Sequence, residues 1–329
     1  MIALLDILAG MVLLLGGGEA LVRGAVAIAR RLGVSPLIIG LTLVGYGTST
    51  PELVASLEAA LAGVPDVALG NVVGSNIANV LLILALAVLV APVRIEPRSF
   101  RRDALALAIS ALAATGLAAT GEVGRIAGLL LLGLVVLYTV ATYRAEKARP
   151  DEWGAILEAE GELKDGARPL RIRVAIPLAV GGIVATVLGA ALLIDGAVTL
   201  ARGLGVSELV IGLTLVAVGT SLPELATSLV AAFRGQTELA YGNVVGSNIY
   251  NLLGILGVTA LASPLPVPPA LLAVDLPVML AATAALILFA LTGWRIGRRE
   301  GACLLAGYAL YLGWLFGTAG RGGPAAPLP

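Results

Sequence analysis

The hexapeptide Gly47-Thr48-Ser49-Thr50-Pro51-Glu52 lies inside an apolar run, Leu37 to Leu61, long enough to cross a bilayer. A carboxylate and a proline at such a depth are costly. An ionisable residue at the bilayer centre costs about 2.5–3.5 kcal/mol on insertion scales and normally faces a protein interior or a water-filled cavity. Pro51 has no backbone donor, and its ring clashes with the carbonyl of Gly47 in a continuous helix. Irregular backbone at membrane depth persists only where it is buried in protein or lines a cavity. The run therefore predicts a broken helix. Pro51 opens the second half, and the Ser/Thr cluster before it serves as cap.

The hexapeptide occurs twice. Gly219-Thr220-Ser221-Leu222-Pro223-Glu224 repeats it in the second half of the chain. Gly70-Asn71-Val72-Val73-Gly74-Ser75-Asn76-Ile77 recurs unchanged, at the same offset, as Gly242 to Ile249. Leu32-Gly33-Val34-Ser35 likewise matches Leu204-Gly205-Val206-Ser207. Several ungapped matches at one offset identify an internal repeat, with a period far too long for a solenoid.

Composition places the repeat in a membrane. Of 329 residues, 59% are hydrophobic and 13% charged, and mean hydropathy is +1.00, values of a polytopic membrane protein. The formal net charge is zero, which gives no basis for a nucleic-acid partner. Without histidine, imidazole-ligated zinc and a serine–histidine relay are excluded. A single cysteine, Cys303, excludes an internal disulfide and a thiolate metal cluster. Met1 to Leu15 lacks a basic leader and is read as the start of a first membrane helix, not a cleaved signal.

The predicted fold is all-α and polytopic, with ten spans near 2–29, 36–61, 66–90, 103–120, 124–143, 174–200, 208–233, 238–262, 270–292 and 299–317. The first and sixth are long and glycine-containing, which predicts tilt. The second and seventh are expected to break at Pro51 and Pro223, the third and eighth near Gly70–Gly74 and Gly242–Gly246. With the N-terminus outside, seventeen Lys and Arg residues fall in inner loops and three, Arg125, Arg202 and Arg321, fall outside. That bias orients the chain with both termini outside. Five spans per half is an odd number, so the halves enter the membrane from opposite sides, as inverted repeats do. The expected organisation is a five-helix repeat over 1–143, a cytoplasmic linker over 144–173, a second repeat over 174–317 and a disordered tail over 318–329.

Helical spacing puts Thr48, Glu52 and Ser56 on one face, and Ser75 with Asn79 on another. The mirror set is Thr220, Glu224, Ser228, Ser247 and Asn251. Inverted symmetry brings both sets to mid-membrane, where carbonyls freed at each break join them. Two ionised glutamates carry −2, which one Ca²⁺ neutralises with six to eight oxygens at about 2.3–2.6 Å. Two or three Na⁺ fill the same region. Bare carboxylates in a dry interior are unfavourable, so a carrier with this site switches sides only when loaded, as an antiporter does. Single Ser, Thr, Gly or Pro residues in a membrane helix ordinarily pack or kink it, and Gly70–Gly74 spacing ordinarily serves close helix packing. The duplication of Glu, Pro, Thr-Ser and Asn together argues for a site. Glu19, Asp195 and Asp275 are read as unduplicated structural acids, with Arg23 one turn from Glu19.

In these residues the chain resembles the cation/calcium exchanger superfamily, and within it the prokaryotic sodium/calcium exchangers. The G-T-S-x-P-E and G-N-x-x-G-S-N forms both stand complete in each half. The resemblance implies that Glu52 and Glu224 ligate calcium and that Thr48 and Thr220 contribute backbone oxygen. It implies that Ser49, Ser221, Ser75 and Ser247, with the Gly45 and Ala217 carbonyls, help form sodium sites. Asn79 and Asn251 complete the cavity, and spans one and six move as a gating pair. Asn251 stands where some family members carry Asp. The large calcium-sensing insert of animal exchangers is absent. The implied function is Na⁺/Ca²⁺ antiport in the cell membrane, with no catalytic residue, cofactor or obligate protein partner. H⁺/Ca²⁺ exchange on the same scaffold is the alternative. An intramembrane hydrolase lacks its nucleophile or metal set, and inverted broken repeats favour alternating access over a channel.

Overall fold

The computed structural model describes residues 2–147, 170–204 and 219–319. Ala217, the start of the seventh span, most of the linker and the tail from 320 lie outside them. The described chain is an all-helical membrane fold. Its helices are α1 (Ile2–Leu32), α2 (Pro36–Ile39), α3 (Gly45–Thr48), α4 (Thr50–Leu61), α5 (Pro65–Ala78), α6 (Ala85–Val90), α7 (Pro97–Ala118) and α8 (Arg125–Lys147). They continue as α9 (Ile172–Gly203), α10 (Leu222–Phe233), α11 (Thr237–Tyr250), α12 (Leu256–Ala262), α13 (Leu276–Leu291) and α14 (Arg298–Ala319). Among the described residues six helices are long and apolar enough to cross a membrane. The pair Pro36–Thr48 and Thr50–Leu61, bent by 43°, makes a seventh crossing if counted as one span.

The bend falls at Ser49, between α3 and α4, with Pro51 in the first turn of α4, where its missing donor costs nothing. The glycine segments of α5 and α11 behave differently from the sequence expectation. The helix is α through Gly70–Gly74 and Gly242–Gly246. It loosens into π turns further on, at Asn79–Leu84 and Asn251–Ile255. Glycine keeps its backbone donor, so it does not break a helix; one extra residue per turn does alter the register. Gly242 and Gly246 serve close approach instead. A Cβ on Gly242 falls 2.5 Å from the Leu37 carbonyl oxygen, and one on Gly246 falls 2.4 Å from that of Leu41.

The first helices of the two halves, α1 and α9, run antiparallel with their backbones in contact. Gly10, Gly17 and Gly24, one at every seventh position of α1, face Gly189, Gly182 and Ala179. A Cβ on Gly182 meets the Leu21 nitrogen at 2.4 Å. Small-residue seams of this kind are how apolar helices associate in lipid. At 31 and 32 residues these helices are about 47 Å long at 1.5 Å per residue, well beyond a hydrocarbon core of about 30 Å, and are tilted or protrude.

Four two-residue strands staple the halves together. β1 (Val93–Arg94) pairs antiparallel with β4 (Arg295–Ile296), and β2 (Glu122–Val123) with β3 (Leu265–Pro266). Each pair joins a loop of one half to a loop of the other. The pairing brings together loops that the basic-residue pattern groups on the same face. Gly63 and Gly235, which match across the repeat, take left-handed φ angles of 78° and 72° that close the turns after α4 and α10.

Candidate cation site

Glu52 and Glu224 stand in the first turns of α4 and α10, and both are 0% exposed. The hydroxyls beside them do not cap their own helices: Ser49 and Ser221 make no side-chain cap bond. Each reaches across to the other half instead. Ser49 Oγ donates to Glu224 Oε1 at 2.8 Å, and Ser221 Oγ donates to Glu52 Oε1 at 3.1 Å. The capping expected for the Ser/Thr cluster is thus replaced by an inter-repeat bond: with ψ of 12° at Ser49 and 8° at Ser221, neither has the extended backbone of an N-cap, and each hydroxyl proton goes to a carboxylate of the other half.

The reciprocity extends outward. Asn71 Nδ2 donates to the Glu52 carbonyl at 3.0 Å and to Ser56 Oγ at 2.8 Å. Asn243 Nδ2 donates to the Glu224 carbonyl at 3.3 Å and to Ser228 Oγ at 2.9 Å. Thr48 Oγ1 meets Asn243 Oδ1 at 3.1 Å, and Thr220 Oγ1 meets Asn71 Oδ1 at 3.4 Å. Every one of these bonds has its counterpart in the other repeat. They fix the height and rotation of each carboxylate-bearing half-helix against the neighbouring α5 or α11.

Of the other expected residues, Ser75 and Ser247 are buried on α5 and α11. Ser247 Oγ donates to the Gly45 carbonyl at 3.2 Å, so that oxygen is hydrogen-bonded rather than bare. Asn79 and Asn251 open the two π segments, both at 0% exposure. Asn79 Nδ2 donates to Asn248 Oδ1 at 2.9 Å, and Asn248 Nδ2 to the Asn76 carbonyl at 3.2 Å. Asn71, Asn243, Asn76 and Asn248 are not among the site residues expected from sequence. All four lie in the duplicated octapeptide, and its unchanged copy is the signal that would have found them.

Among the buried side-chain atoms of the described residues that have no protein partner, four are oxygens of the expected site residues: Glu52 Oε2, Glu224 Oε2, Asn79 Oδ1 and Asn251 Oδ1. A buried polar atom without a partner costs about 1–3 kcal/mol, more when charged. Two carboxylates and two amide oxygens, buried and unspent, are donors of the kind a hard cation takes. They offer no soft ligand.

A second duplicated acid lies away from this centre. Asp275 is not unduplicated, because Asp103 stands at the matching position of the first half. Both are buried and each accepts from a tyrosine on the following helix. Tyr138 donates to Asp103 at 3.4 Å and Tyr311 to Asp275 at 2.8 Å. These pairs tie α7 to α8, and the residue that precedes α13 to α14. Arg102 also bonds Asp103, at 2.8 Å; Val274 stands at the matching position of the second half.

The family model for sodium/calcium exchanger proteins matches residues 2–144 and 174–317. The chain is 36% identical over 342 residues to the sodium/calcium exchanger MaX1 of Methanosarcina acetivorans, covering 95% of this chain and 98% of that protein. It is 35% identical over 317 residues to the inner membrane protein YrbG of Escherichia coli, covering 94% and 95%. Among solved structures, the sodium-calcium exchanger NCX_Mj superposes with a TM-score of 0.82 at 32% identity, over 95% of this chain and 98% of that one.

Proposed function

This chain belongs to the sodium/calcium exchanger family, and from that premise we propose that it is a secondary active antiporter exchanging Ca²⁺ for Na⁺ by alternating access at a mid-membrane site. The observation that carries the reading is the reciprocal bonding of Ser49 to Glu224 and Ser221 to Glu52. It holds two buried carboxylates, one from each half, in a single hydrogen-bonded unit. Glu52 and Glu224 supply the charge that balances Ca²⁺. Thr48 and Thr220 supply backbone oxygen, and Ser49, Ser221, Ser75, Ser247, Asn79, Asn251 and the Gly45 and Ala217 carbonyls supply neutral oxygen for sodium. The ions are cargo; the exchange needs no cofactor and no partner protein. In this reading ten spans form two inverted five-helix repeats, 1–143 and 174–317, joined by a cytoplasmic linker at 144–173. Both termini lie outside the cell membrane, and residues 318–329 form a tail.

Neutral oxygens favour sodium over protons as the driving ion. A proton cycle on two glutamates moves at most two protons per calcium and no net charge. Serine and asparagine ligands accommodate a third Na⁺, and with it net charge movement. The test is ⁴⁵Ca²⁺ uptake into sodium-loaded against choline-loaded vesicles at equal pH, with membrane potential clamped and then varied. Uptake is expected only with internal sodium and is expected to respond to potential. Uptake that ignores sodium and follows an imposed pH gradient establishes the proton exchanger instead. The orientation has its own check. Cysteines at Ala155 and Gly322 in a Cys303→Ala background are treated with an impermeant thiol reagent on intact cells. Gly322→Cys is expected to label and Ala155→Cys not; the opposite pattern reverses the topology.

A further inference from the structure

Two halves related by reciprocal contacts should be covered alike, and they are not. Helix α1 packs along α10. Gly18 sits 3.3 Å, counted from a Cβ built there, from Val230 Cγ2 and 3.5 Å from the Ala226 carbonyl. The corresponding helices of the other pairing, α9 and α4, make no comparable contact. The exposure of matched residues follows. Pro223 and Thr227 are buried where Pro51 and Ala55 are half-buried, and Ala226 is half-buried where Val54 is 47% exposed. The half-helix carrying Glu224 is therefore covered, and the one carrying Glu52 is open on its flank.

One ion pair spans the covered side. Arg234, at the C-terminal end of α10, grips Glu19 of α1 with both arms of its fork, Nη2 to Oε1 at 2.6 Å and Nε to Oε2 at 2.9 Å. Arg23, one turn along α1, bonds Glu19 as well. The positions that match Glu19 and Arg234 in the other half are Ala191 and Ala62, which cannot form such a pair. Because α1 and α9 are joined backbone to backbone, a force applied at Glu19 acts on both.

We propose that the Glu19–Arg234 pair is a latch that holds the α1/α9 unit over α10 and keeps the route to the carboxylates closed on the Arg234 side. Glu19 and Arg234 touch neither glutamate of the site; they are positioning residues for the exchange cycle. The proposal rests on the alternating-access reading. Opening the Arg234 side requires the fork to release, and the matching positions on the α4 side, Ala62 and Ala191, offer no such fork. The latch thus biases the protein towards the state open along α4. A bidentate arginine–carboxylate bond is directional, and a ligand-driven switch need overcome only the difference between the two states.

The test places reporter cysteines at the matched positions Val54 and Ala226, one at a time, in full-length Cys303→Ala protein. Their reaction rates with a water-soluble thiol reagent are measured in sodium alone, calcium alone and neither. Val54→Cys is expected to react faster than Ala226→Cys. E19Q and R234Q are each expected to raise the Ala226→Cys rate roughly 3- to 5-fold, the scale of an exposed ion pair, and to lower the Val54→Cys rate. The double variant should add nothing to either single one, since both remove the same bond. R234K, which keeps the charge but loses the fork, should fall between. Unchanged rates, or single effects that simply add, overturn the latch in protein that elutes as a monodisperse species. If the wild-type rates at Val54 and Ala226 do not respond to the two ions in opposite directions, it is the alternating-access reading that fails.

Discussion

Glu52→Gln and Glu224→Gln are each expected to abolish calcium uptake while leaving the protein folded and membrane-inserted. Glutamine keeps the shape of the side chain and one oxygen for the Ser49 or Ser221 hydroxyl. It deletes the charge that balances a divalent ion. Removing one partner of a buried charge pair costs about 3–5 kcal/mol. At 1.4 kcal/mol per tenfold, that is roughly two to four orders of magnitude in calcium affinity. Both carboxylates are 0% exposed and pair with no protein cation among the described residues, so the loss is expected to fall on ion binding and not on the fold. The measurement is ⁴⁵Ca²⁺ uptake by vesicles of each purified variant, with elution profile as the folding control. The two variants should fail alike, because the hydrogen bonds that hold the two residues are reciprocal. Near-normal uptake by either one removes that residue from the site.

Gly246→Ala is expected to cost the protein both stability and transport, by a different route. The added methyl falls 2.4 Å from the carbonyl oxygen, 2.6 Å from Cα and 2.7 Å from the carbonyl carbon of Leu41. All three are backbone atoms that no rotamer change relieves. Overpacking of this kind costs about 1–3 kcal/mol. The crossing it forces apart carries the Ser247 bond to the Gly45 carbonyl, next to the break that sets Glu52. We expect a lower unfolding temperature and at least a tenfold loss of uptake. Gly313→Ala is the control: it is helical, with nothing within 4 Å of its would-be methyl, so helix propensity makes it neutral or slightly stabilising. Equal behaviour of the two variants contradicts the close crossing.

The site was legible where chemistry is local. A glutamate and a proline in an apolar run, written twice, expose both the broken helix and the carboxylates. Repetition at one offset did the same for Ser49, Ser75, Asn79 and their partners. What stayed hidden depends on packing in space. The serines look like helix caps in sequence, and only the approach of the second half offers them a charged acceptor. Gly70–Gly74 and Gly242–Gly246 look like breaks, yet the distortion is a π turn starting at Asn79 and Asn251, which propensity does not reveal. Asn71 and Asn243 look like polar residues between glycines. Their work is to clamp the backbone of each glutamate, a contact 19 residues away along the chain. Asp103 and Asp275 were readable from the offset alone, but neighbouring residues do not repeat around them. Glu19 and Arg234, 215 residues apart, carry no mutual signal in one sequence.

In the proposed mechanism both glutamates build one site, for which calcium and sodium compete. Equilibrium ⁴⁵Ca²⁺ binding to the purified protein, at fixed pH and rising sodium, tests it most directly. One calcium is expected to bind per chain, displaced by sodium along a curve steeper than one-to-one because more than one Na⁺ replaces each Ca²⁺, with no binding to E52Q or E224Q. Calcium binding that is indifferent to sodium, or that survives in both variants, contradicts it.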